Sequence, residues 1–126
     1  MLSNEGQAAT HTLLVSSLST STTAGASSST TYIDVHGYEG DLVFLINPGA
    51  ITGSCTPDIQ DATDTAGTGT ASVAAQEGAY TALVANTVRK YTINKSKTRG
   101  FIRLINTVVT GPVLIGASML ARPKNF

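Results

Sequence analysis

The sequence predicts an all-β domain, an antiparallel sandwich or jelly roll of about seven to eight short strands with a flexible N-terminal arm. Three observations lead to this prediction. Short apolar runs recur at intervals of roughly ten residues and are bounded by Asn, Gly, Lys or Pro. No amphipathic helical pattern extends beyond about two turns. The length of 126 residues is sufficient for one domain with its own hydrophobic core.

Residues 1–31 are expected to form a Ser/Thr-rich arm, and residues 32–126 the sandwich domain. Residues 19–29 contain no large apolar side chain. Ordering them would therefore cost backbone entropy without burying apolar surface. The arm has one apolar patch, within which residues 11–18 could form a short strand. Leu13 and Val15 of this patch are candidate contacts to a neighbouring subunit.

The first half of the domain contains three predicted strands, at residues 32–35, 42–46 and 55–61. The turn Asn47-Pro48-Gly49 ends the second. In the third, Pro57 favours a position at a sheet edge because proline cannot donate a ladder hydrogen bond. Residues 62–79 contain almost no large side chains, which is typical of a functional or mobile loop. Four further strands are predicted after this loop, at residues 80–84, 88–93, 101–109 and 113–120.

The second predicted strand is apolar at five successive positions, 42–46. A strand with one solvated face should alternate between apolar and polar residues. Either long loops or a neighbouring subunit must therefore cover its second face. The pattern predicts self-association, and we expect a trimer.

The order of the charges is more informative than their sum, which is zero. All eight acidic residues lie between Glu5 and Glu77, and all eight basic residues lie between Arg89 and Lys124. Two alternatives remain open. The two halves neutralise each other inside one molecule, or the molecule has opposite poles that stack on another copy or on a shell.

The second alternative predicts which charges would make the contact. The turn 94–100 joins two predicted strands and should expose its cations, and the turn 37–41 should expose its acids. The candidate interaction residues are therefore Lys95, Lys97, Arg99, Glu39 and Asp41. We do not expect nucleic-acid binding, because the aromatic residues beside the basic residues occupy positions that a core would also require.

The sequence contains no recognisable catalytic arrangement, and we expect no enzymatic activity. His36 and Asp34 share one face of a predicted strand, but no activated nucleophile accompanies them, so they are interpreted as a surface pair. Cys55 is the only cysteine. It cannot form an internal disulfide and is interpreted as a small buried or loop residue rather than a nucleophile.

No cofactor or metal ion is expected either. Asp58, Asp61 and Asp64 are spaced three residues apart, but the spacing and the closing glutamate of an EF-hand are missing. Aspartates that accept local hydrogen bonds in a turn explain this pattern better. The longest apolar run is too short to cross a bilayer, and the N-terminus lacks the pattern of a signal peptide. We therefore expect neither membrane insertion nor export.

Several segments carry a family resemblance. They are Ile33-Asp-Val-His-Gly-Tyr38, residues 49–61 (GAITGSCTPDIQD), residues 80–90 (YTALVANTVRK), residues 99–103 (RGFIR), and Gly116-Ala-Ser118 followed by Arg122-Pro123. Together they resemble small structural proteins of tailed bacteriophages, of the kind known as head decoration, cement or minor structural proteins. The resemblance covers roughly residues 32–123. Two features differ from it: Cys55 replaces an expected polar residue, and residues 1–31 have no counterpart.

The resemblance implies a β-sandwich or jelly-roll module on the outside of the capsid, often a trimer near a local three-fold position. Its implied partners are the major capsid protein and other copies of itself. It implies no catalytic residues, and synthesis in the bacterial cytoplasm before assembly into the virion. The alternative is a minor structural protein of the tail, connector or fibre. A glycan-binding module is less favoured, because the chain has no tryptophan to serve as an exposed aromatic platform.

Overall fold

The chain folds into two antiparallel β-sheets, which confirms the predicted all-β class. The computed structural model describes residues 12–16, 27–29 and 31–123. Within these residues the strands are β1 (Thr12–Ser16), β2 (Ser27–Ser29), β3 (Ile33–Asp34), β4 (Tyr38–Ile51), β5 (Ser54–Ala62), β6 (Ala71–Ser72), β7 (Arg89–Asn94), β8 (Phe101–Val109) and β9 (Val113–Pro123). A short 3-10 helix, Lys95–Lys97, follows β7. The described residues contain no helix long and apolar enough to cross a membrane.

The four-stranded sheet has the order β1-β9-β4-β7, and the five-stranded sheet has the order β2-β8-β5-β6 with β3 also paired to β8. β4 pairs with β9 from Tyr38 to Ile51, and β5 pairs with β8 along its whole length. A short turn leads from β4 in the four-stranded sheet to β5 in the five-stranded sheet, and another leads from β8 in the five-stranded sheet back to β9 in the four-stranded sheet. The chain therefore passes between the two sheets twice at the same end of the sandwich.

The core lies between the sheets and is formed by alternate residues of each long strand. In β4, Leu42, Phe44 and Ile46 are fully buried, whereas Val43 and Leu45 point to the outer face and are half-buried. Cross-strand neighbours on β7 and β9 flank these two outer residues and cover part of them. The apolar run thus has a local explanation within one molecule, and self-association stays a prediction.

Two segments of the predicted arm pair with the sheets. β1 pairs with β9, within the region where a short strand was expected, and β2 pairs with β8. Backbone hydrogen bonds at a sheet edge need no large side chain, so a Ser-rich segment such as β2 can take part. Residues 1–11, 17–26 and 30 lie outside the described residues. The boundary between arm and domain at residue 31 stays a prediction.

The strand predicted at residues 80–84 is wrong. This segment belongs to an irregular connection, residues 73–88, that runs along the open side of the sandwich. It contacts β5 through single hydrogen bonds, Val73 N–H to the Ile59 carbonyl and Leu83 N–H to the Cys55 carbonyl, each 2.8 Å. Isolated bonds of this kind cover an edge without forming a ladder. Val73 and Leu83 are also buried against the core, which accounts for the strand-like apolar pattern.

The same connection covers the edge of β7. The backbone N–H of Gln76 donates to the carbonyl of Thr92, 2.9 Å away. The Glu77 carboxylate accepts from the Thr92 N–H at 2.6 Å and from the Thr92 hydroxyl at 2.7 Å. Burial alone raises the pKa of Glu77, but these bonds and the nearby Lys90 outweigh it, so the pKa lies below its usual value. The carboxylate form of Glu77 therefore helps to hold the connection on the sheet.

We expect Glu77→Gln to lower the free energy of unfolding by about 1 kcal/mol at neutral pH, because a charge-assisted acceptor is lost. A carboxyl group whose pKa is lower in the folded state stabilises the fold above its unfolded pKa and loses this effect as the pH falls through the folded value. The difference between wild type and variant should therefore shrink towards acid pH. Urea unfolding between neutral pH and pH 3 measures it, and a difference independent of pH would contradict the assignment.

Candidate interaction surfaces

One end of the sandwich collects charged residues from five elements, and we name it the charged end. Asp41 at the start of β4 lies opposite Asn94 at the end of β7, and Glu39 lies opposite Arg122 of β9. The turn after Asn94 and the acidic start of β4 are therefore neighbours within one molecule. The charged end comprises Asp34, Glu39, Asp41, Asp61, Lys95, Lys97, Arg99 and Arg122.

Arg99, which the sequence places among the exposed cations, is bound to a carboxylate of its own chain. Its guanidinium donates to the Asp61 side chain at 2.7 Å, and its backbone N–H donates to the same carboxylate at 2.9 Å. The Asp61 side chain is only 6% exposed, against 40% for Arg99. The hydrogen bond from Arg99 to Asp61 raises the pKa of the guanidinium. Arg99 thus fastens the turn before β8 to the end of β5.

The other ion pairs between Lys or Arg and a carboxylate also join the acidic first part of the sequence to its basic last part. Lys90 lies 3.8 Å from Glu77, and Arg122 lies 3.9 Å from Glu39. Together with Arg99–Asp61, each pair joins an acid before residue 78 to a base after residue 88. Because every acid of the sequence precedes residue 78 and every base follows residue 88, any such pair must join the two halves. These three pairs are neutralised inside the molecule, and contact of opposite poles with another copy or with a shell stays a prediction.

The remaining candidates at the charged end have different surroundings. Asp41 accepts a hydrogen bond from the Gln76 side chain at 3.0 Å. Lys95 and Lys97 form the ends of the 3-10 helix, and the Asn94 side chain caps this helix by accepting a hydrogen bond from the backbone N–H of Ser96, 3.1 Å away. Lys97 is exposed, and Lys95 is half-buried near Asp34. A docking role for these residues stays a proposal.

His36 and Asp34 form a local pair, as the sequence suggests. The Asp34 carboxylate accepts from the backbone N–H of His36 at 2.9 Å and lies 2.6 Å from its Nδ1. The backbone bond and the side-chain bond from His36 lower the pKa of Asp34. The imidazole packs edge-on against Phe101 and lies directly over Gly100, where an added Cβ would be 2.3 Å from the ring. These contacts give the pair a structural role in the turn before β4.

The three regularly spaced aspartates do not converge. Asp58 accepts from the Ser72 hydroxyl at 2.6 Å, and Asp61 binds Arg99. Asp64 accepts from the N–H groups of residues 66 and 68 and from the Thr68 hydroxyl. Only Asp64 is therefore used as the turn interpretation expects, and its pKa is lowered by the bonds from Thr68. The described residues contain no group of three or more His, Cys, Asp or Glu side chains arranged to hold a metal ion.

Three residues singled out in the sequence remain: Cys55, and the arm residues Leu13 and Val15. Cys55 is fully buried opposite Val108, and burial raises the pKa of its thiol to about 11. A protonated, buried thiol is a poor nucleophile. Leu13 pairs with Met119 through the backbone, and Val15 lies at an irregularity between Leu14 and Ser16. The side chains of Leu13 and Val15 lie outside the described structure.

The opposite end of the sandwich carries a surface that the sequence analysis did not identify. It is formed by three turns, residues 48–54, 83–88 and 109–114, and we name it the uncharged end. The exposed large apolar residues of the described chain all lie in it: Val84 at 57%, Val88 at 61%, Val109 at 58% and Leu114 at 48% exposure. Several exposed apolar residues at one end of the molecule make that end a candidate interaction surface.

Direct contacts hold the three turns together. The N–H of Asn86 donates to the Gly49 carbonyl at 3.1 Å, and the N–H of Thr52 donates to the Pro112 carbonyl at 3.0 Å. A Cβ added at Gly49 would lie 3.4 Å from the Cβ of Leu114. The three turns are therefore neighbours at one end of the sandwich.

No family profile matches the sequence, and no curated protein matches it. Solved structures do match. The SPBc2 prophage-derived protein YomS has 13% identity and a TM-score of 0.51, and the match covers 86% of this chain and 89% of YomS. A chain of infectious bursal disease virus strain Gx has 15% identity and a TM-score of 0.46, and a chain of the T13 IBDV particle has 14% and 0.43. This protein spans 33% and 31% of those two chains. The likeness to YomS shows that this two-sheet fold occurs, over nearly its full length, in a prophage-derived protein.

Proposed function

We propose that this chain is a virion structural protein that binds the outside of a bacteriophage head and stabilises it. Two lines of support are independent of each other. The sequence resembles phage decoration and cement proteins over residues 32–123, and the fold is similar to that of a prophage-derived protein. The proposed partners are the major capsid protein and further copies of this chain.

The observation that carries the proposal is the use of the charged side chains. Acids from the first half and bases from the second half are joined across the fold at Asp61–Arg99, Glu77–Lys90 and Glu39–Arg122. Arg103 donates to Gln60, and Arg89 donates to Thr81 and to the Ala82 carbonyl. These contacts tie turns and connections to the strands beside them. Turns held in this way suit a protein that docks on a shell without changing shape better than one that must close around a substrate.

A shell presents the same binding site many times, and this changes the affinity that each contact requires. A decoration protein whose copies also touch each other gains from avidity, since the second contact is made at a high effective concentration. A modest apolar surface is then sufficient for occupancy.

The copy number in purified virions tests the location. Quantitative mass spectrometry should find the protein at hundreds of copies per particle, in a fixed ratio to the major capsid protein. A count of about 6–12, the number set by a cyclic ring, would assign it to the connector or tail instead. Absence from purified virions would overturn the proposal.

The stabilising role needs a separate measurement. Heads that lack the protein should release DNA at a lower temperature than complete heads, and adding the purified protein should restore the release temperature. Purified tails incubated with the same protein are the control and should not retain it. An unchanged release temperature at full occupancy would contradict stabilisation.

A further inference from the structure

We propose that the uncharged end is the surface through which two copies of this chain associate. The inference rests on the residues of that end and goes beyond the proposed place in the virion. Its partner is a second copy that presents the same three turns, so the contact joins like ends.

The distribution of charge selects this partner. No charged residue occurs in residues 42–57, 78–88 or 104–121, the three stretches that contain the turns of the uncharged end. When two such ends meet, no charge is desolvated and no like charges approach each other. The same end placed against the charged end of another copy would bury Glu39, Asp41 and Lys97 against apolar side chains, which is costly. The absence of charged residues from this end therefore favours contact between two uncharged ends over head-to-tail stacking.

The strand edges support the same conclusion. On the side of β5 and β7, the connection 73–88 occupies edge groups of both strands, at Cys55, Ile59 and Thr92. Growth of either sheet by strand addition at these positions would first require displacement of that connection. Association at the uncharged end requires no such change, because Val84, Val88, Val109 and Leu114 are already exposed.

The surface is smaller than a standard protein–protein interface, which uses about 20–30 residues on each side, with an apolar centre and a polar rim. The three turns comprise 19 residues, of which 16 are at least partly exposed. A contact of this size fits the reversible association of two copies. Val84, Val88, Val109 and Leu114 are its exposed apolar residues, and neutral residues such as Thr52, Thr87 and Thr110 lie in the same turns.

Sedimentation velocity of the full chain over micromolar to submillimolar concentrations tests the inference. Wild type should form a reversible dimer, because a contact between like ends joins two copies. The double variant Val84→Asp/Val88→Asp should raise the dissociation constant by about 100-fold or more, because two carboxylates would be desolvated in the contact. Both valines are exposed, so the fold should be retained, and far-UV circular dichroism verifies this. Val84→Thr/Val88→Thr keeps the side-chain shape and should weaken association less.

A matched variant at the other end completes the experiment. Lys95→Glu/Lys97→Glu also changes two side chains of one turn, and it should sediment like wild type. A monomeric wild type, an aspartate variant that assembles like wild type, or dissociation caused by the glutamate variant would each overturn the inference. If wild type is monomeric but the aspartate variant has lost binding to heads, the uncharged end binds another protein and not a second copy. The copy number in virions does not depend on any of these outcomes.

Discussion

Replacing Gly53 by alanine is expected to lower the free energy of unfolding by about 3 kcal/mol or more. Gly53 lies between β4 and β5 with φ of +80°, a backbone conformation that side chains disfavour. A Cβ at this position would lie 2.2 Å from the carbonyl oxygen of Val109 and 2.6 Å from that of Thr110. These are backbone atoms, and the pairing of Ser54 with Val109 fixes their position. The clash therefore cannot be relieved by a change of rotamer.

Two other glycines separate the causes of this loss. Gly78 also has a positive φ, +108°, but a Cβ there would meet nothing within 4 Å, so Gly78→Ala should cost only the backbone strain, about 1–2 kcal/mol. A Cβ at Gly37 would also meet nothing, and its φ lies outside the positive region, so Gly37→Ala should change stability by less than about 0.5 kcal/mol. Urea unfolding of the three variants should rank them in this order. Equal losses at Gly53 and Gly78 would show that the close approach of the two turns contributes nothing.

The close approach at Gly53 also connects stability to the proposed interaction surface. Gly53 holds the β4–β5 turn against the β8–β9 turn, and both turns belong to the uncharged end. A substitution there should disturb association even where the protein still folds. For this reason the valine variants, which leave the turn backbone intact, are better probes of association than any glycine variant.

Much of the fold could be predicted from local sequence. The strand predicted at residues 101–109 coincides with β8, and the prediction at 113–120 lies within β9. In each case an apolar run is bounded by turn residues, which is local information. The strand predicted at 42–46 is only the middle of β4. Its flanks are extended because they pair with β9, whose paired residues lie 62 to 85 positions away and are not revealed by composition.

The residues that form each candidate surface are brought together by contacts between distant parts of the chain, so local sequence does not reveal them. A residue in a turn is expected to face solvent, but Arg99 binds Asp61, which lies 38 positions earlier in the chain. The apolar runs bounded by turn residues predict strands that include Val84 and Val88. A signal for the uncharged end was present, since three long stretches lack any charge. Only the topology shows that the turns within those stretches meet at the same end.

Removing the Asp61 carboxylate is expected to be the most damaging single change of a charged side chain. Asp61→Ala removes the carboxylate that accepts from the Arg99 guanidinium and backbone N–H, and leaves only the bonds from Arg99 to the Asp61 and Gly69 carbonyls. Breaking a buried pair costs about 3–5 kcal/mol. Because Arg99 is 40% exposed, water compensates in part, and we expect about 2–3 kcal/mol. Asp61→Asn keeps one carbonyl acceptor and should lose less.

Glu39 provides the matched control for this prediction. Its pair with Arg122 is 3.9 Å long and both side chains are about half exposed, so Glu39→Gln should change stability by less than about 0.5 kcal/mol. High salt should reduce the effect of the Glu39 variant further and leave most of the Asp61 effect, since a buried pair is screened little. The free energy of unfolding, measured with urea at low and at high ionic strength, distinguishes the two. A loss at Asp61 as small and as salt-sensitive as that at Glu39 would show that the Arg99 pair is only a surface contact, and Arg99 would then be available for docking as the sequence first indicated.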